Sequence, residues 1–118
     1  MTLTGITPIL RIFDEKKAKQ FYVEFLEFTL DWEQRFEPGM PLYMQISRDE
    51  IVLQLSEHYG DCSPGAALRI AVSGVEDLQK ALIGKNYPYA RPGIELTPWK
   101  TKECTVTDPF GNKLIFFE

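Results

Sequence analysis

The stretch that decides the fold is residues 97–118, TPWKTKECTVTDPFGNKLIFFE, at the end of the chain. Apolar and alternating residues flank the sequence Asp108-Pro109-Phe110-Gly111-Asn112, which is a cluster of turn-forming residues. Two such runs around a short turn predict a β-hairpin. Glu118 raises a further question, which is whether a carboxylate at this hairpin could hold a metal ion.

The composition is that of an ordinary globular protein. The chain has 118 residues, of which 44% are apolar and 25% charged, and its formal net charge is −4. This is enough apolar material for one core, and the acidic balance argues against nucleic-acid binding, whose footprint is basic. No apolar run approaches the length of about 20 residues that spans a bilayer, so no membrane partner is expected.

The two cysteines, Cys62 and Cys104, are 42 positions apart in the sequence. They match neither a CxxC pair nor a zinc-binding spacing, and free thiols in a reducing cytoplasm are the simplest interpretation. The first ten residues, MTLTGITPIL, lack the basic and apolar regions of a signal peptide, which also favours a cytoplasmic location.

Elsewhere the hydrophobic pattern predicts two similar series of elements. A helix should begin after Asp14, with Phe21, Tyr22 and Phe25 recurring at helical spacing, and a second should cover residues 75–83. Residues 57–65, EHYGDCSPG, have turn-forming composition and predict a linker. Besides the closing hairpin, strands are predicted at residues 6–12, 28–36, 42–47, 51–55, 66–72 and 93–97.

The predicted order is therefore β-α-β-β-β, linker, β-α-β-β-β, with the halves offset by about 60 residues. The Arg48-Asp49-Glu50 turn in the first half corresponds to the closing turn in the second. We expect an α+β fold in which one domain, residues 1–118, contains two βαβββ modules at about residues 1–57 and 66–118. If the helices cover one face of each sheet, the other faces are left to line a shared cleft.

These features together resemble the vicinal oxygen chelate superfamily of glyoxalase, extradiol dioxygenases and bleomycin-resistance proteins. The family pattern of strand, Asp, and a helix with Phe-Tyr is matched by Asp14 and Phe21-Tyr22, and its DPxGN turn is matched at residues 108–112. The chain looks most similar to the bleomycin-resistance branch, which has a Pro-Trp dipeptide before the last hairpin, as in Pro98-Trp99. The Arg48-Asp49-Glu50 turn and residues 72–78 also resemble that branch.

The resemblance also implies where a metal would be held. Carried over by position, the ligand sites fall on Thr7, Ala67 and Ile115, which cannot coordinate an ion. Glu118 is three residues beyond Ile115, an odd offset that points it to the other face of a strand. We therefore expect no metal and no cofactor, and a solvated or paired Glu118. The single histidine, His58, is expected to have a loop role.

The same resemblance suggests a ligand-binding cleft. Trp32 and Trp99 fall where the bleomycin-resistance branch has stacking aromatics, and the helix faces leave Phe36 and Tyr43 unexplained. Core or dimer packing is the alternative for all four. Gln54 and Ser56 could offer hydrogen bonds, or they could be ordinary structural polar residues. The predicted ligand-binding set is Trp32, Phe36, Tyr43, Gln54, Ser56, Arg69, Trp99 and Gly111.

Arg69 should share a strand face with Ala67 and Ala71. The bleomycin-resistance branch has tryptophans at the positions of Arg69 and Ala71, so this chain departs from it there. Arg69 would favour an anionic ligand, or it could pair internally with Glu57 or Glu103. On the closing hairpin, a solvated face is predicted at Lys100, Lys102 and Glu103.

The predicted function is sequestration of a planar antibiotic, possibly of the bleomycin type, in a metal-free cleft of a homodimer. It needs no catalytic residue. The alternatives are a diverged glyoxalase- or dioxygenase-like metalloenzyme, acting as a lyase or oxidoreductase, and a fold that serves only as an interaction protein. The sequence offers no histidine partner for Cys62 or Cys104, so a nucleophile–base pair is not apparent.

Overall fold

The computed structural model describes residues 1–118. The contacts between residues divide the chain into two compact units, Met1–Pro64 and Gly65–Glu118. The division lies within the residues 57–65 that the sequence marks as a linker. Each unit has its own four-stranded sheet and is described separately below.

The first unit has the elements β1 (Ile9–Arg11), α1 (Glu15–Lys19), a π-helical segment (Gln20–Phe25), β2 (Thr29–Gln34), β3 (Tyr43–Arg48) and β4 (Ile51–Ser56). The strand order is β1-β4-β3-β2. β1 runs parallel to β4, and the other two pairs are antiparallel. β1 is shorter than the predicted 6–12 because Pro8 has no N–H to donate, although its carbonyl accepts a 2.9 Å bond from the Gln54 amide.

The first helix begins where the sequence predicts it. Asp14 has an extended backbone, and its carboxylate accepts a 2.8 Å hydrogen bond from the Lys17 amide, as expected of an N-cap. The helix then widens to a π-helical turn, in which the Leu26 amide donates to the Phe21 carbonyl at 2.9 Å. Phe21, Tyr22 and Phe25 are buried there and provide the aromatic part of the core of this unit.

The second unit repeats this plan with β5 (Ala67–Ala71), α2 (Val75–Gly84), β6 (Glu95–Leu96), β7 (Lys102–Thr107) and β8 (Lys113–Phe117). The strand order is β5-β8-β7-β6, again with one parallel pair, β5 and β8. None of the helical segments has the length and apolar content needed to cross a membrane. The α+β fold of paired βαβββ modules, predicted from the sequence, is confirmed.

The turn of the closing hairpin is organised by Asp108. Its Oδ1 accepts hydrogen bonds from the amides of Phe110 and Asn112, and its Oδ2 accepts one from the Asn112 side chain, each at 2.8 Å. Gly111 has a φ of +93°, a left-handed conformation that glycine adopts without strain. Asn112 is fully buried and accepts a bond from the Ala66 amide at 3.1 Å, which ties the turn to the start of β5.

Glu118 caps helix α2. Its two carboxylate oxygens accept hydrogen bonds from the amides of Gly74 and Val75, both at 3.1 Å. These bonds hold the pKa of Glu118 below its ordinary value. Gly74, at the N-cap, has no side chain to do this, so the last residue of the chain supplies the acceptor from a distant position in the sequence. The sequence predicted that the Glu118 carboxylate is either solvated or paired, and in the structure it is paired with two backbone amides.

Candidate functional site

One face of the first sheet presents polar and aromatic side chains. In β3, Met44 and Ile46 are buried, whereas Tyr43, Gln45 and Ser47 alternate with them and remain partly accessible. In β4, Gln54 lies directly opposite Gln45, so both amides are on this face. We call it the polar face of the first unit.

The polar face has an aromatic pair at its edge. The rings of Trp32 and Tyr43 are stacked, with centroids 5.9 Å apart and an interplanar angle of 11°. An irregularity in β2 between Leu30 and Trp32 shifts the register and brings Trp32 opposite Gln45. The stack leaves Trp32 41% exposed, so a flat surface remains accessible.

Hydrogen bonds connect this pair to the amides. The Tyr43 hydroxyl donates to Oε1 of Gln54, and Nε2 of Gln54 donates to Oε1 of Gln45 at 3.0 Å. Nε2 of Gln45 in turn donates to Asp31 at 3.1 Å, and the Ser47 hydroxyl donates to the same carboxylate at 2.9 Å. The face is thus a continuous network from Tyr43 to Asp31, with its side chains already oriented.

Beside Tyr43 is an open hollow of about 260 Å³, lined by Gln34, Phe36, Tyr43, His58 and Asp61. Pockets that enclose a drug-sized ligand span roughly 300–1,000 Å³, so this hollow suits one ring system rather than a whole ligand. The His58 ring lies 6.3 Å from the centroids of both Phe36 and Tyr43. His58 is therefore part of an aromatic hollow as well as a loop residue.

Two carboxylates flank the aromatic part of this face. Asp31 is held by Gln45 and Ser47, and Asp61 accepts a 2.6 Å bond from the Ser56 hydroxyl. These hydrogen-bond donors are all neutral, so no lysine or arginine donates a hydrogen bond to either carboxylate. Ser56 itself is buried, and its hydroxyl also accepts a hydrogen bond from the His58 amide at 3.0 Å. Its role is therefore to orient Asp61 and the loop that contains His58.

Both cysteines are free thiols. Desolvation, and then the nearby Asp61, raise the pKa of Cys62 above its ordinary value, while Arg11 acts in the opposite direction. Burial alone raises the pKa of Cys104. A raised pKa disfavours the thiolate, which is the nucleophilic form, so neither environment activates a cysteine.

The exposed face of the second sheet is organised around Arg69. Ala67, Arg69 and Ala71 alternate on the exposed side of β5, as predicted. Arg69 donates to Oε2 of Glu103 at 2.8 Å, and its guanidinium carbon lies 4.5 Å from the centroid of the Phe117 ring. The sequence left Glu57 and Glu103 open as internal partners of Arg69, and the structure pairs Arg69 with Glu103.

Glu103 was expected on a solvated face, and that expectation is wrong. Its side chain is only 9% exposed, because Arg69 covers it from β5. The Arg69 guanidinium, and to a smaller extent hydrogen bonds from Thr101 and Trp99, hold the pKa of Glu103 below its ordinary value. The neighbouring Lys102 is exposed, and it pairs with Glu76 at 2.7 Å instead.

Two further residues of the predicted site belong to the second unit. Trp99 is 64% exposed in the turn before β7. Like Arg69, it donates a hydrogen bond to Glu103. Gly111 lies in the β7–β8 turn, where its conformation serves the hairpin. Trp99 and Arg69 are thus brought together, whereas Gly111 contributes backbone geometry.

No group of three or more His, Cys, Asp or Glu side chains lies close enough together to hold a metal ion. Ala67 and Ile115, two of the positions where the resemblance would place ligands, lie on the same sheet face in neighbouring strands. Thr7 precedes β1 and is exposed. Glu118 is at the helix cap described above, so its carboxylate is already used.

Five of the predicted ligand-binding residues belong to the first unit. Trp32, Tyr43 and Gln54 form one connected group, Phe36 joins them through the hollow, and Ser56 lies beneath it. Sequence reasoning missed Asp31, Gln45 and Asp61. The alternation of Tyr43, Gln45 and Ser47 was a usable signal for Gln45, but nothing in the sequence marks Asp31 or Asp61 as facing the same side.

A sequence profile described as "Glyoxalase superfamily protein" matches residues 1–118. The chain belongs to the glyoxalase superfamily. The superfamily assignment made from the Asp108–Asn112 turn and the repeated βαβββ order is confirmed. No curated protein sequence matches the chain.

Several solved structures have a similar fold. A bleomycin-binding protein complexed with bleomycin has a TM-score of 0.72 at 20% identity, with 98% of each chain covered. The bleomycin resistance determinant encoded on transposon Tn5 has a TM-score of 0.73 at 18% identity, also with 98% of each chain covered. A glyoxalase family protein from Bacillus anthracis has a TM-score of 0.75 at 17% identity, covering 100% of this chain and 97% of that one. At these identities the likeness shows the fold alone.

Proposed function

We propose that this member of the glyoxalase superfamily is a binding protein that sequesters a planar small molecule. Its ligand has a flat ring system and a positive charge, and a bleomycin-type antibiotic is the leading candidate. The ligand occupies a metal-free cleft of a homodimer in the cytoplasm. The protein acts by occupancy, so no bond of the ligand is made or broken.

The observation that carries this proposal is the stack of Trp32 on Tyr43, joined to the Gln54–Gln45 amides. A flat ring can lie on such a surface, and stacked aromatic pairs contribute about 0.5–1.5 kcal/mol beyond the area they bury. The amides and the Tyr43 hydroxyl are held by one another, so a ligand does not have to order them on binding. The face is therefore suited to recognition of a flat, hydrogen-bonding molecule.

The charges support a cationic ligand. Asp31 and Asp61 lie on or beside the polar face, and the hydrogen bonds that hold them come from neutral donors, so a ligand cation can pair with either carboxylate. The cation of the second unit, Arg69, is already paired with Glu103. This pairing removes the reason to expect an anionic ligand.

The choice of bleomycin as the first ligand to test comes from the relatives. Two solved structures of this fold are a bleomycin-binding protein with its ligand and a bleomycin resistance determinant. The Pro98-Trp99 dipeptide and the closing turn resemble the same branch. The identities are low, so the ligand class rests on the polar face itself and the specific compound rests on the comparison.

Homodimerisation is proposed from exposed apolar side chains together with the resemblance. Phe36 and Trp99 are 78% and 64% exposed, and Leu96 on the short β6 strand is also exposed. We expect a second subunit to cover these side chains and so remove them from water. Light scattering coupled to size exclusion tests it, and a mass of 13.6 kDa at micromolar concentration would contradict the dimer.

Isothermal titration of the purified protein with metal-free bleomycin tests the proposed function. We expect saturable binding to the wild-type protein and weaker binding to Trp32→Ala. Absence of heat at any accessible concentration, together with no protection of bacteria that express the protein, would contradict bleomycin as the ligand. Elemental analysis of the same sample provides a second test, because a stoichiometric divalent ion would instead favour a metalloenzyme.

A further inference from the structure

The turn between β2 and β3 carries Phe36, one of the rings that line the hollow of the first unit. This side chain is 78% exposed, so its own burial does little to fix its position. The turn has a left-handed glycine, Gly39, with a φ of +86°, and the Met40 amide donates to the Glu37 carbonyl at 3.0 Å. The position of Phe36 therefore depends on what the neighbouring residues of the turn are attached to.

Arg35, the residue before Phe36, is attached at three points. Its Nη2 donates to Oε1 of Glu15 in helix α1, and its Nη1 donates to the Met40 carbonyl at 2.5 Å. The same Nη1 lies 3.6 Å from Oε1 of Glu57. One guanidinium thus joins the helix, the far side of the turn and the residue after β4, which the rigid fork of donors on arginine allows.

Glu57 fixes both the end of this turn and the start of the loop after β4. Its Oε1 accepts a hydrogen bond from the Leu42 amide at 2.9 Å, and its own amide donates to the Leu42 carbonyl at 2.8 Å. The next residue is His58, whose ring centroid lies 6.3 Å from that of Phe36. Arg35 and Glu57 are therefore each one residue away from a ring of the hollow, so their contact constrains the separation of the two rings.

Helix α1 holds its side of this network through a second cation. Lys19 donates to Oε2 of Glu15 at 2.9 Å and pairs with Glu33 of β2 at 2.8 Å. The hydrogen bond from Lys19, and then that from Arg35, lower the pKa of Glu15 although desolvation opposes them. Several linked charges hold a geometry better than one isolated surface pair does. Glu15 is thus a charged and oriented partner for Arg35 at neutral pH.

We propose that Arg35 is a positioning residue that holds Phe36 beside His58 and so sets the shape of the hollow. Its guanidinium is not part of the lining of the hollow, so it acts on a ligand through Phe36. The effect on ligand affinity rests on the proposed function, whereas the placement of the two rings does not. Both can therefore be tested separately.

The test uses Arg35→Gln, which removes the guanidinium, and Arg35→Lys, which keeps the charge but lacks the fork that spans the three partners. Phe36→Ala removes the ring that Arg35 holds, and it is also combined with Arg35→Gln in a double variant. Arg91→Gln, at an exposed arginine in the loop before β6, is the matched control for loss of one positive charge. Thermal unfolding identifies variants that do not fold.

The first readout is nuclear magnetic resonance of the protein without ligand. The wild type and Arg91→Gln should show nuclear Overhauser contacts between the ring protons of Phe36 and His58. We expect Arg35→Gln and Arg35→Lys to lose these contacts while the Trp32–Tyr43 stack, which Arg35 does not hold, keeps its own. Phe36–His58 contacts that persist unchanged in folded Arg35→Gln would overturn the proposal.

The second readout is the affinity for metal-free bleomycin, measured by isothermal titration. Arg35→Gln should bind roughly two- to tenfold more weakly than the wild type, the range that one aromatic contact contributes. In the Phe36→Ala background the same substitution should change the affinity by less than about twofold, because the ring through which Arg35 acts is gone. An undiminished effect of Arg35→Gln in that background would overturn the proposal.

The sign of the affinity change separates positioning from simple electrostatics. Removing a positive charge near a cationic ligand should by itself strengthen binding, so tighter binding by Arg35→Gln would also overturn the proposal. If the wild type does not bind bleomycin but its Phe36–His58 contacts depend on Arg35, bleomycin sequestration falls and the positioning role stands. If the wild type binds bleomycin and those contacts do not depend on Arg35, the positioning role falls and the proposed function stands.

Discussion

The indole of Trp32 lies parallel to the ring of Tyr43, on neighbouring strands of the first sheet, with centroids 5.9 Å apart. Tyr43 is fixed in turn by its hydrogen bond to Gln54. Burial, and then Asp61 and Cys62, raise the pKa of the Tyr43 hydroxyl, so it remains a hydrogen-bond donor at neutral pH. The stack is thus a preformed surface with one flat side turned outward.

Trp32→Ala should weaken binding of a planar ligand by about tenfold, which corresponds to roughly 1.4 kcal/mol of stacking and contact area. The folded state should lose little stability, because Trp32 is 41% exposed. Isothermal titration and thermal unfolding measure the two effects. Tyr89→Ala, which removes an exposed aromatic residue from the second unit, is the control and should bind normally.

Asp31→Asn should weaken binding of a cationic ligand while preserving the shape of the polar face, because an asparagine oxygen can still accept a bond from Gln45 or Ser47. An exposed ion pair contributes about 0.2–1 kcal/mol, so we expect a loss of up to about fivefold. The loss should shrink at high salt, since screening weakens the wild-type interaction. Equal affinity of the two proteins at low salt would show that Asp31 does not contact the ligand.

Asp108→Ala should destabilise the protein by about 1–3 kcal/mol, because it leaves the buried Asn112 side chain and two turn amides without their acceptor. Urea unfolding measures this change. Asp108→Asn is the matched variant and should cost less, since its oxygen can replace one of the two acceptors. Identical stability of the alanine variant and the wild type would refute the role given to this turn.

The pH dependence of stability should contain a contribution from Glu118. The amides of Gly74 and Val75 lower its pKa in the folded state below the ordinary value of 4.5. The stabilisation is therefore complete at neutral pH and is lost as the pH falls through the lowered pKa. Glu118→Gln should lower the melting temperature at pH 7 and reduce its further fall on acidification.

The acid response of Glu118→Gln will not vanish, because the pKa of Glu103 is lowered as well, chiefly by Arg69. Melting curves between about pH 7 and pH 3 measure both contributions. Glu37→Gln, in the exposed turn after β2, controls for the loss of one negative charge. A Glu118→Gln curve that parallels the wild type throughout would contradict the capping role.

The architecture was predictable because local signals agree with it. Asp14 caps the first helix, Pro8 shortens the first strand, and the Asp108–Asn112 turn closes the last hairpin. The strand order within each sheet and the parallel β1–β4 and β5–β8 pairs come from contacts far apart in the sequence. Those pairs were not predicted, because no local pattern encodes a contact such as that of Ile9 with Gln54.

The candidate site was predictable only in part. Trp32 and Tyr43 stand out as aromatics that no helix face explains, but their mutual stack depends on a register shift within β2 that periodicity does not encode. Glu103 was assigned to solvent together with the nearby Lys100 and Lys102. Its burial depends on Arg69, 34 residues away in the sequence, and on the width of the guanidinium that covers it.

The most direct test of the central claim is a nuclear magnetic resonance titration of the isotope-labelled wild-type protein with metal-free bleomycin. The Trp32 indole N–H and the side-chain amides of Gln45 and Gln54 report on the polar face without any mutation. We predict saturable shifts of these three groups, larger than those of the Asn86 and Gln79 amides in the second unit. Saturable binding that leaves the three groups unshifted, or no binding at all, would contradict the claim that this face receives the ligand.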